Sequence, residues 1–112
     1  MTKKRVLVVD DEPPVRELLG DWLGSFGYAW DTARDAAEAL SKLENAEFDL
    51  VLTDLNMPGM NGVELAREVK RRTERTRVVL LTGSNPQNLT QDIDRVLFKP
   101  ISVEEHRRNV NP

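Results

Sequence analysis

Apolar positions follow two alternating rhythms along this chain. Residues 6–9, VLVV, are an unbroken Val and Leu run, the mark of a strand covered on both faces. Residues 13–27, PPVRELLGDWLGSFG, switch to helical spacing, with Val15, Leu18, Leu19, Trp22, Leu23 and Phe26 forming the apolar side. Proline near the first turn suits a helix start, Asp11 or Glu12 can cap it, and Gly27 is a suitable stop. A short strand is predicted over 28–33, then a helix over 35–46 whose stripe is Ala36, Ala39, Leu40 and Leu43. FDLVLTD, residues 48–54, reads as a second buried strand, and MPGMNG, residues 57–62, as a turn-rich loop. Asn61 can cap the next helix, GVELAREVKRR over 62–72. RVVLLT over 77–82 and RVLF over 95–98 are the remaining strands. The stretch 83–94 between them is polar with a weak helical signal, and SVEEHRRN over 102–109 makes a thin last helix.

Five strand-to-helix alternations predict an α/β fold: an open parallel sheet with helices on both faces and right-handed crossovers. A chain of 112 residues is expected to form one domain over 1–112, with no linker to a second. Trp22 and Trp30 occupy core-like positions in this scheme. Composition then narrows the chemistry. There is no cysteine and a single histidine, His106, which excludes disulfides, thiolate sites and cysteine nucleophiles and makes histidine metal clusters and Ser-His-Asp triads implausible. A net charge of -3 gives no reason to expect nucleic acid or an anionic membrane as partner. The basic residues between Arg67 and Arg77 alternate with Glu64, Glu68 and Glu74 at helix-pair spacings, so they read as a solvated face. The N-terminal apolar run is too short for a signal sequence, no segment approaches a membrane span, and a cytoplasmic protein is expected.

In open α/β sheets ligands bind outside the carboxyl ends of the strands. Here the first strand ends in Asp10, Asp11 and Glu12, the third in Asp54, the fourth in Thr82 and the fifth in Lys99-Pro100. Each polar residue directly follows an apolar run, so all are predicted to gather at one rim. Clustered carboxylates are most readily satisfied by a hard divalent cation, and Mg2+ suits a few carboxylates plus water. A cation beside Asp54 with Lys99 opposite makes a spot that stabilises an incoming phosphoryl group. Aspartate is itself a competent nucleophile for phosphoryl transfer, and Thr82 can donate its hydroxyl to a phosphoryl oxygen. The acid triplet alone also reads as a helix N-terminus, Asp54 alone as a turn former, Thr82 as a cap and Lys99 as a surface lysine. Their coincidence favours the metal and phosphoryl site.

VLVVDDEPPVRELL, DLVLTDLNMPGMNG, VVLLTG and LFKP, in this order and at these distances, resemble the receiver domain of bacterial two-component response regulators. The resemblance implies the flavodoxin-like, doubly wound five-stranded sheet in the order 2-1-3-4-5. It further implies phosphoryl transfer onto Asp54 from a sensor histidine kinase or a histidine phosphotransfer protein, and signalling by contact with a downstream protein. By match, Asp10, Asp11 and Asp54 hold Mg2+ together with the backbone carbonyl of Asn56. Thr82 matches the switch hydroxyl and Lys99 the phosphate-binding lysine, with a cis bond before Pro100 aiming Lys99 into the site.

Three departures fall in the last third. Val96 stands where the family usually has an aromatic residue, and Phe98 lies one side-chain step further along the same face. The stretch from Thr82 to Lys99 is shorter than usual by about one helical turn. The last segment has only Val103 and Val110 to bury, so the fourth and fifth helices are expected to be short or irregular. The phosphoryl chemistry thus reads as intact and the docking face as rebuilt. A signalling module is therefore expected, not an enzyme. An Asp-nucleophile phosphatase would want Asp at position 12, where Glu12 stands. A flavin or nucleotide binder would want a Gly- or Ser-rich loop after the first strand. A receiver-like adaptor that is never phosphorylated is the alternative.

Overall fold

The computed structural model describes residues 4–83 and 91–98. Strand β1 (Arg5–Val9), helix α1 (Pro13–Ser25), β2 (Ala29–Ala33), α2 (Ala36–Asn45), β3 (Leu50–Asp54), α3 (Gly62–Arg72), β4 (Arg77–Thr82) and β5 (Arg95–Phe98) follow in that order. All pairings are parallel, and the strands lie in the order β2-β1-β3-β4-β5, as expected of the flavodoxin-like topology. The fourth and fifth helices expected to be short or irregular, the cis bond before Pro100, and Lys99 itself lie outside the described residues.

The alternation of side chains along β1 builds two cores. Val6 and Val8 face α1 and meet Leu19, Leu52 and Leu81. Leu7 and Val9 face the other way and meet Ala36, Ala39, Val51, Leu65, Ala66, Val69 and Val78, beneath α2 and α3. The continuous apolar run of β1 is thereby explained, since both of its faces are dry. Each fully buried Val or Leu contributes roughly 1.5–3 kcal/mol. Among the described residues no helix is long and apolar enough to cross a membrane.

Helix ends follow local chemistry with one correction. The Asp35 carboxylate accepts from the Glu38 amide at the start of α2, and Asn61 with Glu64 forms a reciprocal capping box on α3. At α1 the cap residue is Glu12, but its side chain makes no capping bond, nor does Asp11 take that role. Instead Asp10 Oδ1 accepts from the Glu12 amide at 2.9 Å, because Pro13 and Pro14 occupy the first turn and bring no N–H to cap. Gly27, at φ 87°, ends the excursion after the helix as expected. Trp30 departs from the core assignment. It is 44% exposed, because β2 is the sheet edge, and its ring lies over Gly20 of α1, where a Cβ would stand 2.7 Å from it. Trp22 is half-buried against the α1-side core.

A candidate phosphoryl and metal site

The site is assembled by the sheet. β1 and β3 are neighbours, with Val9 level with Thr53, so the next residues on each strand, Asp10 and Asp54, arrive at the rim together. Asp11 follows Asp10 into the turn. Oxygens of Asp10, Asp11 and Asp54 all come within 4.8 Å of one another. Asp10 is 1% exposed, Asp54 half-buried and Asp11 exposed, so the cluster runs from the interior to solvent. Three carboxylates this close repel each other strongly unless a cation sits among them. The donor set is all hard oxygen with one open side, which fits Mg2+ retaining several waters.

β4 contributes the next residue. Asp54 is level with Leu81, and Thr82 follows one step beyond at 1% exposure. Thr82 is in turn level with Phe98 of β5, and Leu80 with Val96. Thr82, Val96 and Phe98 therefore share one side of the sheet, with Phe98 beside Thr82 and 54% exposed. Leu97, on the opposite side, is 44% exposed.

The loop after β3 is held at both ends. Met57 is buried in the α2–α3 core, Gly59 turns the chain at φ 80°, and the Asn61 cap starts α3. Gly62 N donates to Leu55 O at 2.9 Å, while the Thr53 hydroxyl donates to Asp54 O at 3.0 Å. These contacts fix the backbone around Asp54. Asn56 sits exposed in this loop, two residues past Asp54.

The fold thus brings Asp10, Asp11 and Asp54 together at one rim, with Thr82 at the same end of the neighbouring strand and Asn56 in the loop that follows Asp54. Two further residues escaped the sequence reading. Gly62 abuts the Asp54 backbone, and Arg16, on the first turns of α1, donates from Nη1 to the main-chain oxygen of Asp10 at 2.7 Å. Their only sequence signals are a glycine directly after a capping asparagine and a basic residue four positions beyond the acid triplet.

The chain matches the sequence model described as the response regulator receiver domain over residues 6–111. It is 38% identical over 104 residues to the sensor histidine kinase RcsC of Salmonella typhimurium, covering 88% of this chain and 11% of RcsC. It is 36% identical over 106 residues to the transcriptional regulatory protein ResD of Bacillus subtilis, covering 90% of this chain and 44% of ResD. The chain thus spans about a tenth of the kinase and less than half of the regulator. Among solved structures, the response regulator TrrA of Thermotoga maritima in complex with Mg2+-BeF superposes with a TM-score of 0.83 at 38% identity, covering 96% of both chains. TrrA in complex with the histidine kinase ThkA gives a TM-score of 0.78 at 37% identity, covering 96% of this chain and 95% of that one.

Proposed function

Because this chain belongs to the receiver-domain family of response regulators, we propose that its acidic rim accepts a phosphoryl group on Asp54 from a phosphohistidine donor, in a Mg2+-dependent reaction. The observation that carries this reading is the convergence of Asp10, Asp11 and Asp54 oxygens within 4.8 Å of one another. An Asp54 carboxylate oxygen forms the new bond to phosphorus as the P–N bond to the donor imidazole breaks. The bonding electron pair returns to the ring nitrogen, which remains on the donor protein. Asp10, Asp11, Asp54 and the carbonyl of Asn56 would hold Mg2+, which when bound offsets the negative charge that phosphoryl oxygens bring to three carboxylates. The Thr82 hydroxyl donates to a phosphoryl oxygen, and Lys99 supplies the cation on the other side.

The donor class is a sensor histidine kinase or histidine phosphotransfer protein, a reading supported by TrrA having been crystallised with the kinase ThkA. Each chain takes up one phosphoryl group, so the role is that of a stoichiometric acceptor, not a turnover enzyme. We read residues 1–112 as this one receiver domain, acting in the cytoplasm where ATP feeds the kinases. Its output is contact with a downstream protein, with neither nucleic acid nor membrane as a direct partner. Val96 in place of the usual aromatic residue favours a modified docking face as the second part of this reading.

Intact-mass spectrometry after incubation with a small-molecule phosphodonor and Mg2+ tests it. The expected result is a gain of one phosphoryl group in the wild type, lost in Asp54→Asn and on adding EDTA. Absence of the gain in a wild type that binds Mg2+ would favour the phosphorylation-independent adaptor.

A further inference from the structure

We infer that Arg16 is a positioning residue for the metal ligands: it clamps the Asp10-Asp11 turn so that both carboxylates face Asp54. The inference rests on the metal-dependent reading of the rim. Its geometry is specific. Arg16 is the fourth residue of α1, and its guanidinium reaches back across the turn to the Asp10 carbonyl at 2.7 Å. The same turn is held from within by the Glu12 amide on Asp10 Oδ1 at 2.9 Å. Asp10 is thus gripped at the backbone by Arg16 and at the side chain by the turn itself.

The helix that follows gives these acids unusually little support. A helix N-terminus ordinarily offers unpaired amides and a partial positive charge to nearby carboxylates. Here Pro13 and Pro14 fill the first two helical positions, and Glu12 contributes no side-chain cap. Two of the amides that would face the acids are therefore missing. Arg16 replaces them with a full positive charge, half-buried and bonded to the residue that carries the first ligand. Its bond goes to the Asp10 main-chain oxygen and not to the carboxylate. Partners bonded directly to a ligating group typically change metal affinity 10- to 100-fold, and Arg16, which acts through the main chain of the ligand residue, belongs at the low end of that range.

Calorimetric titration of the full chain with Mg2+ tests this, using wild type, Arg16→Met, Arg16→Gln, Arg16→Lys and Asp10→Asn. Arg16→Met is expected to raise the Mg2+ Kd about tenfold, and Arg16→Gln to do the same should the Met variant fold poorly. Arg16→Lys, which can still donate to the carbonyl, is expected to recover most of the affinity. In the phosphodonor assay the Mg2+ concentration for half-maximal labelling rises in Arg16→Met while the plateau is kept. An unchanged Kd with a lowered Tm would make Arg16 a packing residue and overturn the inference. A tighter Kd would mean that the charge merely repels the cation, and would overturn it equally. Wild type that binds no Mg2+ would instead remove the metal reading of the rim, and the inference with it.

Discussion

A Cβ built on Gly62 would press into the Asp54 carbonyl oxygen and stand 2.8 Å from Leu80 Cδ1. Neither neighbour is free to move, since one is backbone at the end of a central strand and the other a fully buried core side chain. Gly62→Ala is therefore expected to cost roughly 1–3 kcal/mol through overpacking and to displace Asp54, lowering phosphodonor labelling. Gly83→Ala, where none of the described residues lies within 4 Å of the added carbon, is the matched control and is expected to label normally. Urea midpoints and intact mass on the two variants check both effects. The gathering of Asp10, Asp54 and Thr82 at one rim was legible because each is polar directly after an apolar run, with Asp11 next along the chain, and a parallel sheet sends all such positions to one end. Gly62 and Arg16 were not legible, because their roles depend on which atoms lie across a gap, and no spacing along the chain encodes that.

Individual elements were readable wherever local forces decide them. The stripe Ala36, Ala39, Leu40 and Leu43 packs against the core as its spacing implied, and Asn61 caps α3 through both bonds of a capping box, at 2.9 and 3.1 Å. Asn61→Ala is expected to cost about 1 kcal/mol, read as a lower urea midpoint with unchanged slope. Glu12→Ala, at a cap residue whose side chain makes no bond, is expected to leave the midpoint almost unmoved. The contrast separates the two helix starts, which look alike in sequence because both place an acidic or amide residue ahead of an apolar stripe. What distinguishes them is proline, which leaves the first turn of α1 with little for a cap to bind. Trp30 was misassigned to the core for a different reason. Its neighbours make it look buried only if β2 is an inner strand, and β2 is the edge.

Across the whole molecule, the end of the sheet opposite the acidic rim is closed by a polar clasp. Lys70 Nζ of α3 lies 2.7 Å from Asp94 Oδ2 and donates to Thr76 O at 2.8 Å, while the Val78 amide donates to the same Asp94 oxygen at 2.7 Å. Burial alone would raise the Asp94 carboxyl, but hydrogen bonds from Lys70 and Val78 and the charges of Lys70 and Arg77 outweigh it and hold it below its ordinary 3.8. The folded protein therefore binds this proton more weakly than the unfolded chain. The stabilisation is complete above the ordinary carboxylate value and is lost as pH falls through the lower folded one. Asp94→Asn is expected to cost roughly 1–2 kcal/mol at neutral pH, after allowing for partial exposure, and to cost less at an acid pH below the ordinary carboxylate value, where the lowered carboxyl progressively gives up this stabilisation. Urea titrations at the two pH values check this.

The alternation of strands and helices, their lengths and the identity of the acids at the strand ends were determined by the sequence itself. Periodicity and turn chemistry are short-range, and each is settled within a few residues. The exposure of Trp30, the seating of Gly62 against Asp54 and the reach of Arg16 to Asp10 were decided only in the tertiary structure. Each depends on contacts between residues whose proximity is created by packing, where close approach of atoms, and not their order in the chain, sets the energy.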